Sequence, residues 1–318
     1  MDLQPNSEQL AVVEAVARIV EGLGHPRPAE PGYVLLSPEF AAAVEAGGFL
    51  DVARAEGYGL TEALMVVEAL ARSPVALEAG TTAVVAPGLG LAADLPRPIT
   101  LIDSTSASPV RHLTGEGTAI IVTPTEVRLA RAQDLAVTPV SSLYAYPLGR
   151  PGVDLAKAGE RVDASPQEAR RLWRLALGAE AVGLMQAALD LVVEHVKTRR
   201  QFGQPLGVFQ AIQHRLSECE VVVRGGRMLV LEAAFRGTGA AAALAALHIQ
   251  ESAGRLNYET QQFHGAIGLT LEYPLHYWTY RLRLLQGELG GPAGQGLDGA
   301  EGLWPAGTPI AEDFVRED

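Results

Sequence analysis

The sequence predicts an α+β fold, mostly α, from three observations. Residues 1–86 carry helical periodicity, residues 87–162 carry short β-rich runs broken by Pro, Gly, Ser and Thr, and residues 163–290 return to long helical periodicity. Helices and strands kept in separate runs are the α+β pattern. The expected organisation is an N-terminal helical domain (1–86), a shortened middle β domain (87–162), a C-terminal four-helix bundle (163–290) and a tail (291–318) rich in Gly and Pro that reads as a loop or an arm.

SEQLAVVEAVARIVEGLG, from residue 7, repeats apolar residues at three- and four-residue spacing, with Ser7 as its cap and Gly22 and Gly24 as its stop. LTEALMVVEALAR (60–72) repeats the pattern, with Thr61 placed to cap it and Pro74 closing it. The middle segment offers ITLID (99–103), TAIIVT (118–123), VRLA (127–130) and LAVTPV (135–140), which read as strands of a small antiparallel sheet or barrel. Ser165-Pro166-Gln167-Glu168 is a capping box with proline at the first helical position, where its missing N–H costs nothing. The helix it opens runs about 30 residues, and patterns near 208–236, 240–262 and 274–289 complete an antiparallel bundle.

Apolar residues make up 48% and charged residues 19% of the 318, a globular balance long enough for a sizeable core. A net charge of −12 without a basic stripe argues against a nucleic-acid partner. No basic segment followed by an apolar core opens the chain, and no run reads as a membrane span, so the expectation is a cytoplasmic protein. The single cysteine, Cys219, excludes an internal disulfide and a cysteine-based metal site and reads as a small core residue. No G-x-G-x-x-G follows a strand and no Walker motif is present, which leaves both common nucleotide folds unsupported.

Chemistry concentrates in two stretches. TRRQFG (198–203) ends the long helix with Arg199 and Arg200 beside Phe202, in a chain with only two lysines, Lys157 and Lys197. A guanidinium fork fits a pyrophosphate bidentately, and an aromatic face suits an adenine or a sugar, although a solvated helix end is the plainer reading. QFHGAIGLTLEYP (262–274) packs Gly265, Ala266 and Gly268 into an interhelical turn, where small residues admit close backbone approach to a ligand. His264 reads as structural, and so does His195.

Together these stretches resemble the acyl-CoA dehydrogenase family. EHVKTRRQFGQPLGVFQAIQHRLSE is similar to that family's Y-x-x-x-R-x-Q-F-G-x-P-[IL]-x-x-F-Q block, and QFHGAIGLTLEYPLH to its Q-x-x-G-G-x-G-[FY]-x-x-[ED]-[YH]-P block. The likeness is close over about 165–281, loose in the N-terminal helices and nearly absent in the middle. It implies the three-part fold described above, and FAD as cofactor for taking a proton from Cα and a hydride from Cβ of an acyl-CoA thioester. By the same resemblance Arg199 holds the FAD pyrophosphate, Gln201 and Phe202 lie beside the adenosine half, Gln210 joins from the next turn, and Gln262, Gly265 and Ala266 line the same cofactor, seated mainly on a neighbouring subunit.

Two departures shape the functional expectation. The family's Thr-Glu-Pro and Trp-x-[IT]-[ST] blocks, which hold the isoalloxazine ring, have no match in VVAPGLGLAADLP or VTPTEVRLARAQ. The catalytic glutamate of the Y-E-G-T turn is also missing: LLQGELGGP brings Glu288 near, about one residue out of register, and where some relatives place the glutamate on the first bundle helix this chain has Trp173. The chain therefore resembles the short, base-lacking subunit of α2β2 acyl-CoA dehydrogenases that act on steroid side-chain CoA thioesters, lending the trans half of an FAD site to a longer homologue. Two alternatives stay open: a self-sufficient homotetramer with Glu288 as base, or a flavin-free scaffold.

Overall fold

The computed structural model describes residues 4–24, 26 and 33–304. Three helices lead: α1 (Ser7–Glu21), α2 (Pro38–Ala46) and α3 (Leu60–Ala71). Asn6, not Ser7, caps α1, in a reciprocal capping box with Gln9. At α3 the cap position is Gly59, whose N–H is taken by the Glu62 carboxylate, so Thr61 lies inside the helix. A π-helical segment, Thr81–Val85, and one further turn, α4 (Ala86–Gly88), lead into the strands.

The β region holds two small sheets instead of one antiparallel array. β1 (Ile99–Asp103), β3 (Thr118–Val122), β4 (Val127–Arg131) and β7 (Glu160–Val162) form the first, in the order β1-β3-β4-β7. β1 and β3 run parallel, Ile99 opposite Thr118, because segment 104–117 carries the chain back across the fold before β3 starts. That segment contributes β2 (Val110–Arg111), which pairs with β6 (Leu148–Arg150), itself paired with β5 (Thr138–Val140). Ile102, Leu113, Ile121 and Leu135 pack into a small core of this region.

The bundle is built on α5 (Pro166–Thr198), capped as its sequence demands by Ser165, whose hydroxyl accepts the Glu168 N–H. Every position from Leu172 to Leu189 is buried, so α5 runs through the centre of the core, carrying Arg174, Glu180 and Gln186 as buried polar side chains among apolar ones. It is long and apolar enough to cross a membrane, yet 83% of its most apolar window is buried inside the protein, as in a core helix. Gly183 sits where α5 meets α3: a Cβ there would collide with the Glu68 carbonyl oxygen.

A short hairpin, β8 (Arg200–Gln201) with β9 (Gln204–Pro205), leads to α6 (Gln210–Arg236), α7 (Gly239–His264) and α8 (His276–Leu285). The buried Arg281 of α8 donates to the carbonyls of Tyr277 at 2.8 Å, Val75 at 2.7 Å and Ser73, tying the bundle to the end of α3. Cys219 is buried in α6, and burial pushes its thiol up to about 11, so it behaves as an inert core group.

The expected tail is corrected in part. Residues Gly291–Leu303 form a helix, α9, laid along α7, while residues 305–318 lie outside those described. Glycine disfavours a helix by about 1 kcal/mol per residue, but here the missing side chains permit close packing: Gly299 abuts Leu244 and Gly302 abuts Ala240. Buried Arg174 of α5 locks the contact, donating to Gln295 at 2.7 Å and to Asp298.

Candidate functional site

Arg199 is the residue that ends α5; its backbone N–H bonds to the His195 carbonyl, and its guanidinium makes no hydrogen bond or ion pair among the described residues. The hairpin then exposes Gln201 and Phe202, the latter 87% exposed at a left-handed φ of 53°. The Phe202 ring meets Phe209 edge-on at 6.0 Å, immediately before exposed Gln210 at the start of α6. At the end of α7, Gln262, Gly265 and Ala266 are all exposed, and a Cβ at Gly265 would meet open space.

The two stretches meet in space. His195, one turn before Arg199, and His264, immediately before Gly265, have ring centroids 4.6 Å apart. Arg215 of α6 stacks over Phe263 at 4.8 Å and pairs with Glu259, closing the third side. The result is one solvent-facing edge with an unpaired guanidinium, an exposed aromatic, exposed amides and a glycine turn. Those residues fit an anionic, aromatic-bearing cofactor: the charge is uncommitted and the backbone can be approached closely.

The second candidate, Glu288, lies elsewhere. It stands at the end of α8, on the rim of a cavity of about 320 Å³ walled by Leu101, Val110, Tyr144, Trp173, Leu284 and Leu289. It is not the solvent-facing carboxylate that a helix end would suggest; its side chain is only 14% exposed. Arg111 of β2 donates from Nε to Oε1 at 2.5 Å and from Nη2 to Oε2 at 3.4 Å, and the Trp173 indole N–H reaches Oε2 at 3.2 Å. The other arm of Arg111 bonds Glu180 of α5 at 2.7 Å, and Glu180 also accepts the Tyr146 hydroxyl at 2.7 Å.

Burial opposes the charge on Arg111, but Glu180 and then Glu288 outweigh it and hold the guanidinium pKa above its ordinary value. Burial, reinforced by Glu180, keeps the Tyr146 phenol protonated far above its usual range. Arg111, Glu180 and Tyr146 escape a motif search because they are distant in sequence. The one signal is Glu180 itself, a carboxylate inside the otherwise apolar run LALGAEAVGLM.

A leading helical domain, a small β region and a long antiparallel bundle, in that order, define the acyl-CoA dehydrogenase fold. Residues 167–293 match the family model for the acyl-CoA dehydrogenase C-terminal domain. Over those residues the chain is similar to the acyl-CoA dehydrogenase family. It is 37% identical over 105 residues to acyl-CoA dehydrogenase IpdE2 of Mycobacterium tuberculosis, covering 33% of this chain and 33% of that protein, so the match spans about a third of that relative's length. A solved variant of the Tcur3481-Tcur3483 steroid ACAD superposes with a TM-score of 0.77 at 21% identity, over 93% of this chain and 97% of that one. A chain of the ChsE4-ChsE5 complex from Mycobacterium tuberculosis gives 0.76 at 20% identity, over 98% and 100%. At those identities the structural likeness is one of fold.

Proposed function

We propose that this chain is the half-site subunit of a hetero-oligomeric, FAD-dependent acyl-CoA dehydrogenase, acting in the cytoplasm with a longer homologue as an α2β2 heterotetramer. The observation that carries the reading is the state of Glu288. An α-proton is removed by a carboxylate with a free oxygen in hydrogen-bond reach of Cα. Both oxygens of Glu288 are engaged, by Arg111 and Trp173, and its charge is already matched. Glu288 is a structural anion in this chain, and the base belongs to the partner.

The exposed edge has the opposite character, with groups to spare. Arg199 would take the pyrophosphate of FAD, Phe202 and Gln201 would flank its adenosine half, and Gln210, Gln262, Gly265 and Ala266 would complete the wall. FAD, when bound, supplies the hydride acceptor for Cβ; this chain's residues bind and orient it and move no proton. That two fold neighbours are a steroid ACAD and the ChsE4-ChsE5 complex supports a heteromeric assembly and a bulky, steroid side-chain type of acyl-CoA substrate.

The test is flavin content per chain, for the protein alone and co-expressed with a longer homologue carrying both ring-holding blocks. The expected result is a colourless lone chain and about one flavin per two chains in the pair. Arg199→Ala lowers flavin retention in the pair, and Glu288→Gln leaves kcat within about two-fold, whereas loss of a general base costs on the order of 10²–10⁴. A lone chain that holds one FAD and dehydrogenates an acyl-CoA overturns the proposal.

A further inference from the structure

The two halves of the exposed edge come from different helices, and a cluster of three rings lies where they meet. His264, the last residue of α7, is 5% exposed. Its Nδ1 lies 2.6 Å from the Thr260 carbonyl oxygen, which can only accept, so Nδ1 carries the proton. Nε2 is then bare and takes the Tyr273 O–H at 3.2 Å. This is one defined tautomer of a neutral imidazole, set by its two neighbours.

His195 packs against both partners, its ring 4.6 Å from His264 and 5.9 Å from Tyr273, nearly perpendicular to the latter. The Tyr273 and His264 rings are themselves 4.7 Å apart. Burial, and then the nearby Arg199 charge, hold His195 below its usual pKa; burial does the same to His264 against the Thr260 bond, with His195 adding to it. The cluster is thus uncharged at neutral pH. His195 precedes Arg199 by one helical turn, and Gly265, at φ 65°, follows His264 directly.

We propose that His195, His264 and Tyr273 form an aromatic clasp that locks the Gly265–Ala266 turn to the Arg199 end of α5. The clasp sets the distance between the guanidinium and the turn, so these three are positioning residues for whatever anion spans them. The proposal rests on the reading of this edge as the trans half of an FAD site. It adds that the edge is rigid before the cofactor arrives, and that its rigidity depends on one tautomer.

Two measurements test it. Long-range proton–nitrogen spectra of the histidine-labelled full chain should show His264 protonated at Nδ1 and bare at Nε2, with the Nε2 resonance moving in Tyr273→Phe. In the assembled pair, His195→Ala should weaken FAD binding roughly three- to ten-fold, the range of one lost contact of this kind. His195→Tyr restores the ring and should recover most of that loss, which a general folding defect would not do. A proton on Nε2 of His264 overturns the clasp. So does His195→Ala with unchanged FAD affinity while Arg199→Ala loses it. If Arg199→Ala also leaves FAD untouched, the cofactor reading fails by itself, and the tautomer result still decides whether the clasp exists.

Discussion

Arg111→Met is the most informative single change in this molecule. The substitution keeps an unbranched apolar stem but removes the fork that joins Glu180 to Glu288, whose side chains are 5% and 14% exposed. Removing one member of a buried ion pair costs about 3–5 kcal/mol, because the remaining charge stays buried without its partner. The entropy of unfolding scales at roughly 2.1 cal/mol/K per residue, so a chain of this length loses roughly 1.5 °C in Tm per kcal/mol, and Arg111→Met should melt about 4.5–7.5 °C below the parent. The assay is calorimetry of parent and variant at pH 8. A variant carrying Arg111→Met, Glu180→Gln and Glu288→Gln together removes all the charges at once and should recover most of the loss. A Tm within about 1 °C of the parent, or a triple variant worse than the single, would refute the view that the network is a closed structural unit.

Other consequences follow from particular contacts. His276 is buried, with Nε2 donating to the Leu271 carbonyl at 3.0 Å and Nδ1 accepting from Tyr33 at 2.6 Å, and burial lowers its pKa to about 4. The unfolded chain, with an ordinary value near 6.5, then binds a proton the folded chain refuses. Stability is whole above pH ~6.5 and falls by roughly 3 kcal/mol as pH drops toward 4, which denaturant melts across that window should trace and His276→Gln should flatten. Arg174→Ala removes the side chain that holds Gln295 and Asp298, so amide exchange in α9 should speed up while α5 stays protected. Gly183→Ala forces a methyl onto the Glu68 carbonyl and the Ala71 side chain, and should cost about 1–3 kcal/mol in a thermal melt.

What the sequence reveals and what it hides divides along a physical line. α5 was legible because its cap, Ser165 with Pro166, and its apolar run are local signals, and β1, β3 and β4 because short β-rich runs end at turn residues. The two motif stretches were legible as a pair only through resemblance; their meeting at His195 and His264 is a property of the packed bundle. Three features were hidden. α9 has a glycine-rich sequence with poor intrinsic helicity, and its helix exists because small residues fit against α7. The parallel pairing of β1 with β3 depends on where segment 104–117 travels, which no local pattern encodes. The Arg111 network joins residues from β2, α5 and the end of α8, and no spacing rule connects them.

That hidden network is also what favours the proposed reading over a self-sufficient enzyme. From sequence alone, Glu288 near the expected register and Arg199 at a helix end are both charged residues beside family motifs, and they look equally available. In the folded chain they are opposites. Glu288 is neutralised by Arg111 and further held by Trp173, within a wall of apolar side chains, while Arg199 stands uncompensated in solvent beside Phe202 and the Gly265 turn. A buried charge must find its partner inside the chain during folding. An exposed, unpaired guanidinium on a rigid edge can take its partner from outside at little cost in desolvation. On the proposed reading, the chemistry this chain offers is at its surface, toward another subunit, and not in its own cavity.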